Sequence, residues 1–217
     1  IMDLTTAITS RHSTHAFTDE PVGRETITEI VALARRAPSW VDSQPWRVYA
    51  AIGAARERIA RRHAESSTSG ARGRSDIATM HRDQWASAQQ RNMAGMSESL
   101  LALLGPDLER VTGEARASLF GAPALLYLTI PRAAPQWSLY DLGAFAQTLM
   151  LAARDRGLDT IPAYELVRYP AEAREEMGIP DDEILVVGVA LGHRADALIN
   201  SLVTDRAPVE QVLTIRD

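Results

Sequence analysis

Residues 138–156 read SLYDLGAFAQTLMLAARDR. Leu139, Leu142, Ala146, Leu149, Met150 and Ala153 recur at three- and four-residue intervals, which stacks them on one face of an α-helix. Ala144, Phe145 and Ala152 widen that face, and a helix that is apolar most of the way round belongs in a protein interior. Gly157 ends it in the usual C-terminal manner. Two strongly apolar runs lie on either side, PALLYLTI at 123–130 and ILVVGVAL at 184–191. Neither alternates, and a short continuous apolar run reads as a strand buried on both faces. A central helix between two such strands calls for a sheet covered by helices.

Further out, RETITEIVALARRA at 24–37 places Ile27, Ile30, Val31 and Ala34 on one helical face, and Pro38 and Pro45 break the pattern. WRVYAAI at 46–52 predicts a strand, and 53–64 a helix with an arginine-rich outer face. The segment ESSTSGARGRSDIATM at 65–80 is small, polar and aperiodic, the composition of a mobile loop. Its GARGR follows no strand, so it is not a dinucleotide fingerprint. Residues 81–104 read as helical, 171–177 as a short helix stopped by Gly178 and Pro180, and 195–217 as a tail without a clear element. The order is helices, strand, helices, strand, central helix, strand, tail, which is α+β or α/β. No repeat or linker divides the chain, so 1–217 is expected to be a single domain.

Composition narrows the chemistry. The 217 residues carry a net charge of −5, which argues against a nucleic-acid partner. There is no cysteine, which removes disulfides, thiolate nucleophiles, iron–sulfur clusters and cysteine zinc sites. All 23 basic residues are arginine, so neither a Schiff-base lysine nor a P-loop lysine is available. No apolar run reaches the ~18–20 residues that span a bilayer, and the N-terminal IMDLTTAITSRHS lacks a secretory layout, so a cytoplasmic location and no membrane partner are expected. His12 and His15 stand three apart, but without cysteine or a carboxylate cluster no metal site is expected. His63, His81 and His193 read as solvated.

Three segments carry chemistry. In Arg11-His12-Ser13-Thr14-His15-Ala16-Phe17, an extended backbone points Arg11 and Ser13 the same way, a guanidinium and a hydroxyl suited to an anion. Arg206, in Asp205-Arg206-Ala207-Pro208, can close the clamp from the far end of the chain. The proline-bounded loop Ala37-Pro38-Ser39-Trp40-Val41-Asp42-Ser43-Gln44-Pro45-Trp46 can present polar atoms to the edge of a planar ring.

Together these segments resemble the nitroreductase family of FMN enzymes: RHSTHAF, Pro21-Val22, APSWVDSQPW, and the closing GHRADALINSLVTDRAPVEQV with its glycine, asparagine and arginine before a proline. The likeness is strongest over 3–50 and 120–213 and weak over 60–115. It implies an α+β fold with a mostly antiparallel sheet covered by helices, and a homodimer that exchanges C-terminal arms and holds FMN at the subunit interface. It implies that Arg11, Ser13 and Arg206 hold the phosphate and ribityl chain, and that His12 lines the same channel. His15 would face the N1–O2 edge of the flavin, and Pro38, Ser39, Trp40 and Asp42 would reach it from the other subunit. The backbone at Pro162, Ala163 and Tyr164, after Ile161, would lie near N5, and Gly192 beside the phosphate.

Two departures from the family stand out. His15 replaces a lysine or arginine, and Asp42 an asparagine. A permanent cation near N1–O2 stabilises a negatively charged reduced flavin; a histidine, with a reference pKa of about 6.5, does so only when protonated. An aspartate adds charge of the wrong sign unless an arginine or histidine pairs with it. The implied activity is a ping-pong cycle in which NAD(P)H delivers electrons and a small aromatic substrate, nitroaromatic or similarly electron-poor, removes them. The flavin carries the chemistry, so no residue is assigned a catalytic role and His15 is a modulator. Reductive dehalogenation or quinone and enone reduction on the same fold are the alternatives, with a non-catalytic flavin-binding or interaction protein more remote. Residues 65–95, the poorly matched part, would be a mobile lid over the substrate.

Overall fold

The computed structural model describes residues 2–217. Its framework is a four-stranded sheet in the order β1-β2-β4-β3, formed by β1 (Arg47–Ile52), β2 (Ala124–Pro131), β3 (Asp159–Ala163) and β4 (Glu183–Gly192). Every neighbouring pair is antiparallel. Eight α-helices surround it among the described residues: α1 (Leu4–Ser10), α2 (Arg24–Ala34), α3 (Gly53–Thr68), α4 (Ser87–Leu104), α5 (Leu108–Ala117), α6 (Trp137–Asp155), α7 (Pro170–Met177) and α8 (Val209–Val212). None is long and apolar enough to cross a membrane.

The apolar run of β2 is explained by the two faces it serves. Ala124, Leu126, Leu128 and Ile130 point into a core shared with α2 and α6, where Ile27, Ile30, Leu142, Phe145 and Leu149 are buried. Leu125 and Tyr127 point the other way, into a core with Ile59 of α3 and Leu166, Val167 and Ala173 around α7. Both alternating sets of side chains are covered, so the usual period of two disappears from the sequence.

Several expectations need correction. β3 lies in a stretch with no strand signal; it is short, contains Pro162 and pairs with β4 alone. An edge is where a sheet tolerates proline, because no ladder N–H is needed on the open side. The helix begun at Gly53 runs on to Thr68, so 65–68 are helical rather than loop, and that of 81–104 starts only at Ser87, with a 3₁₀ turn at Arg82–Gln84 before it. The tail contains a 3₁₀ turn at Leu198–Ser201 and the short α8. Leu139, expected in the apolar stripe of α6, is exposed, as are Trp137 and Tyr140, while Asp141 is buried.

The largest departure is His63. Expected in solvent, it is 2% exposed on the inner side of α3. Its Nε2 lies 3.2 Å from Glu165 Oε1 and its Nδ1 3.5 Å from Glu172 Oε2, the first a charge contact rather than an aligned hydrogen bond. Ser66 Oγ donates to Glu172 at 2.6 Å, and Arg168 pairs with Glu165 at 3.1 Å. Burial by itself would lower the His63 pKa, but the two carboxylates outweigh it and the net direction is up. Burial likewise would raise Glu165, yet His63 and Arg168 bring it below its ordinary value.

A histidine raised in the folded state stabilises fully below its unfolded pKa of about 6.5, and that stabilisation is lost as pH rises through the folded value. His63→Gln should therefore lower the unfolding free energy by about 3 kcal/mol near pH 6, because buried Glu172 loses its counter-charge and buried Glu165 keeps only Arg168. The gap from wild type should shrink by about pH 9. Urea titrations at both pH values measure it; equal gaps would show that His63 is not charged in the fold.

Candidate functional site

The site is assembled from the two ends of the chain. α1 stops at Ser10 and the backbone becomes extended at Arg11. Residues 13–17 then run beside the sheet: Ser13 bridges Thr160 in parallel, Thr14 N–H donates to Thr160 O at 3.1 Å, and Phe17 bridges Arg194. This lays Arg11, Ser13 and His15 along the open side of β3. The 3₁₀ turn Leu198–Ser201 brings the tail back over the same segment. Its Asn200, 1% exposed, accepts from His15 N–H at 2.7 Å and Ala16 N–H at 3.1 Å, and donates to Ala16 O at 2.8 Å and Ala195 O at 2.9 Å. Arg194 adds a second tie, donating to Asn200 O at 2.6 Å and to His12 Nε2 at 2.9 Å. His12 Nδ1 lies 3.0 Å from Ser10 O, so its N–H sits on Nδ1 and Nε2 accepts.

Between these ends lies a cavity of about 250 Å³ lined by Arg11, His12, Ser13, His15, Ile161, Pro162 and, from the tail, Leu202, Thr204 and Arg206, with Met96 from α4. No carboxylate lines it. Burial, then the nearby Arg206 charge, lowers the Arg11 pKa. Arg206 itself is held by its own arm, donating to Thr204 O at 2.9 Å, Thr204 Oγ1 at 2.7 Å and Asp205 O at 3.1 Å. Two guanidinium groups close enough to repel, beside a serine hydroxyl, form a donor set that lacks only an anion. Burial pushes the His15 imidazole down, so it is neutral at neutral pH; the ring meets Phe120 edge-on at 6.1 Å, and its buried Nδ1 has no partner within the chain. A larger groove of about 840 Å³ between α4 and the tail shares Met96, Thr204 and Arg206 with this cavity.

Six of the residues expected from the sequence therefore converge: Arg11, His12, Ser13, His15, Pro162 and Arg206. Ala163 and Tyr164 follow Pro162 but do not line the cavity, and Tyr164 is exposed. Gly192 does not line it either. A Cβ there would sit 2.6 Å from Pro123 Cδ and 3.1 Å from Phe17 Cδ1, so this glycine serves the packing that seats residues 13–17.

Pro38, Ser39, Trp40 and Asp42 lie outside the cavity of their own chain. Their loop is strained: Val41, Asp42 and Gln44 have φ of 47°, 58° and 44°. For a β-branched valine this conformation is a true outlier. Asp141, through Oδ1, accepts from Trp40 N–H at 3.2 Å; Gln44 N–H donates to Ser39 Oγ at 3.0 Å; and Trp46 stacks on Phe145 at 5.0 Å. Asp42 takes a hydrogen bond from Gln44 Nε2 at 2.9 Å and pairs with neither arginine nor histidine. Asn200, Arg194 and Met96 were not anticipated as parts of the site. Asn200 had only its place in the closing motif to mark it, and Met96 had no signal at all.

Comparison with known proteins agrees with this geometry. The family model described as "Nitroreductase family" matches residues 8–193, and the chain belongs to that family. Among characterised relatives, the 4-nitrobenzoate reductase of Pseudomonas putida is 31% identical over 210 residues, 92% of this chain and 89% of that protein. The nitrobenzene nitroreductase of Ectopseudomonas oleovorans is 32% identical, covering 88% of this chain and 86% of its own length. The crystal structure of the FMN-dependent nitroreductase NfnB from Mycobacterium smegmatis in complex with NADPH superposes with a TM-score of 0.90 at 28% identity, covering 98% of this chain and 97% of that one.

Replacing Asn200 by alanine leaves the N–H groups of His15 and Ala16 without partners and takes one of two donors from each of the Ala16 and Ala195 carbonyls. Even with partial rescue by water, about 2–4 kcal/mol of stability should be lost. Chemical denaturation measures it, and a loss under about 1 kcal/mol would show that the tail is not held this way.

Proposed function

We propose that this chain is an FMN-dependent oxidoreductase that takes electrons from NAD(P)H and passes them to nitroaromatic or similarly electron-poor small molecules in a ping-pong cycle. The observation that carries the proposal is the pairing of Arg11 with Arg206 across a cavity free of carboxylates, with Ser13 and His15 on its wall. The residues fit the cofactor. Arg11, Arg206 and Ser13 supply the donors a phosphate needs, and His15 places an imidazole on the same cavity wall. FMN, when bound, supplies a ring that accepts a hydride equivalent from the nicotinamide and yields electrons to the acceptor. What the chain contributes is binding, orientation and field. No side chain at this site is poised as a nucleophile.

A homodimer with FMN at the interface is part of the proposal. In support, the loop Pro38–Asp42 is preorganised yet does not line its own chain's cavity, and Trp137, Leu139, Tyr140, Val203, Val212 and Ile215 are exposed apolar side chains on α6 and the tail. Exchange of the tails between subunits would bury them. The proposed lid is narrower than residues 65–95. Asp76 is tied to Arg174 and to Leu185 N–H, which fixes the segment before it. Arg82, Asp83 and Trp85 are tied to α4 through Ser97 and Gln90, which leaves roughly residues 77–81 as the segment able to move.

Purified protein should be yellow, sediment at twice the chain mass, bleach anaerobically with NADPH, and recover its colour on addition of nitrobenzene or 4-nitrobenzoate. Arg11→Ala and Arg206→Ala should each weaken FMN binding by about 1.5–3 kcal/mol. Unchanged FMN affinity in both variants would remove the phosphate assignment, and no recolouring with any nitroarene would remove the substrate class.

His15 supplies a separate test. Negative charge arriving beside it on reduction would draw a proton onto the ring, since an opposite charge within about 4–6 Å favours the charged form. Burial holds the resting ring below its ordinary pKa, so the coupled proton enters over a window that begins below about pH 6.5. The midpoint potential should fall more steeply with pH in that window, and His15→Arg should flatten the dependence and raise the potential at alkaline pH. Spectroelectrochemistry from about pH 5 to 9 compares the two; superimposable curves would show that His15 does not sense the flavin.

A further inference from the structure

A second cavity, of about 450 Å³, lies where the segment after α3 folds against α7. Four arginines line it: Arg62 from α3, Arg72 and Arg74 from the segment after it, and Arg168 before α7. Glu65 and Glu172 also line it, so four arginines share the wall with two carboxylates, in a protein whose net charge is −5. Glu172 is further engaged by Ser66 and His63. Arg62 and Arg168 pair with Glu175 and Glu165, but among the described residues Arg72 and Arg74 make neither an ion pair nor a side-chain hydrogen bond. Pro170 and Ala171, at the N-terminus of the eight-residue α7, complete the wall and add the positive end of its dipole.

The cluster is built rather than incidental. A Cβ on Gly73 would come within 2.5 Å of Arg168 Cγ, so the glycine lets the two segments lie against each other. Arg74 N–H donates to Arg168 O at 2.8 Å and Tyr169 Oη to Ala71 O at 3.2 Å, which flanks Gly73 with fixed contacts. The Arg168 guanidinium lies over the Tyr169 ring at 5.0 Å. Arg72 and Arg74, without carboxylate partners of their own, are planar, bidentate donors of the kind that holds a phosphate monoester.

We infer that this cavity binds a phosphate monoester, and that its physiological occupant is the 2′-phosphate of the nicotinamide donor, which makes the chain prefer NADPH to NADH. The second half rests on the reading of the chain as a nicotinamide oxidoreductase. Pro162, on the wall of the Arg11 cavity, and Arg168 are six residues apart in sequence, so their Cα atoms are separated by at most about 22 Å, a span a dinucleotide can cover.

Two measurements on full-length, FMN-loaded protein test this, using wild type and the double variant Arg72→Ala/Arg74→Ala, whose substitutions lie in an exposed segment. Calorimetry with adenosine 2′-monophosphate should show binding to wild type and none to the variant. Steady-state kinetics with one nitroarene should show the KM for NADPH rising by at least about tenfold in the variant, with kcat and the KM for NADH changed by less than about twofold. No binding of adenosine 2′-monophosphate to wild type overturns the site. Binding that is lost in the variant while NADPH and NADH kinetics move together, or not at all, overturns the nicotinamide assignment and points to a separate phosphorylated molecule. Binding without turnover of either nicotinamide supports the phosphate site and counts instead against the oxidoreductase reading.

Discussion

Asn200 uses both atoms of its side-chain amide at once, taking two backbone N–H groups from residues 15 and 16 and giving two N–H bonds to the carbonyls of residues 16 and 195. The amide is buried, so water cannot take over any of the four contacts without a rearrangement of the tail. This one residue joins segments 184 positions apart, and the site depends on that junction. Residues 11–17 have no strand neighbour except the open side of β3, reached by single bridges, and the tail after Ser201 has little core of its own. Held together, they bring Arg11 and Arg206 across one cavity; apart, neither arginine has a reason to face the other.

That arrangement has an electrostatic cost in the isolated chain. Arg11 loses solvent and meets a like charge, with no carboxylate on the cavity wall to offset either. The strained loop around Val41 and the exposed apolar side chains of α6 and the tail are further departures from a chain optimised for stability alone. Such departures are expected where a site has been shaped for a ligand and a partner. An anion, a planar ring and a second subunit would relieve them together, which is why the proposed function and the proposed dimer are one reading.

The sequence was informative wherever burial was repeated. The residues of β2, β4 and α6 are apolar because every turn or both faces meet other apolar groups, and that leaves a pattern no other structure explains. β3 left none: five residues with a proline and one strand neighbour are too short for a period to register. α1, with its threonines and isoleucine, is a weak helix by propensity and is started by Asp3, whose carboxylate accepts from Thr6 N–H at 3.0 Å. His63 looked like one more polar residue on an arginine-rich helix. Its burial is set by Glu165 and Glu172, about a hundred positions away, which no local window contains. The site divided along the same line. Arg11, Ser13, His15 and Arg206 stood in recognisable motifs, whereas the roles of Asn200 and Arg194 are exercised mostly on backbone atoms, and backbone atoms carry no signature.

In the proposed function, the two ends of the chain, tied at Asn200, form a phosphate clamp for a flavin mononucleotide. Comparing the affinities of the unloaded protein for FMN and for riboflavin tests it most directly, because the two ligands share the ring and ribityl chain and differ only in the phosphate. Two guanidinium partners at about 1.5–3 kcal/mol each predict that FMN binds at least about a hundredfold more tightly than riboflavin. Equal affinities would contradict the account.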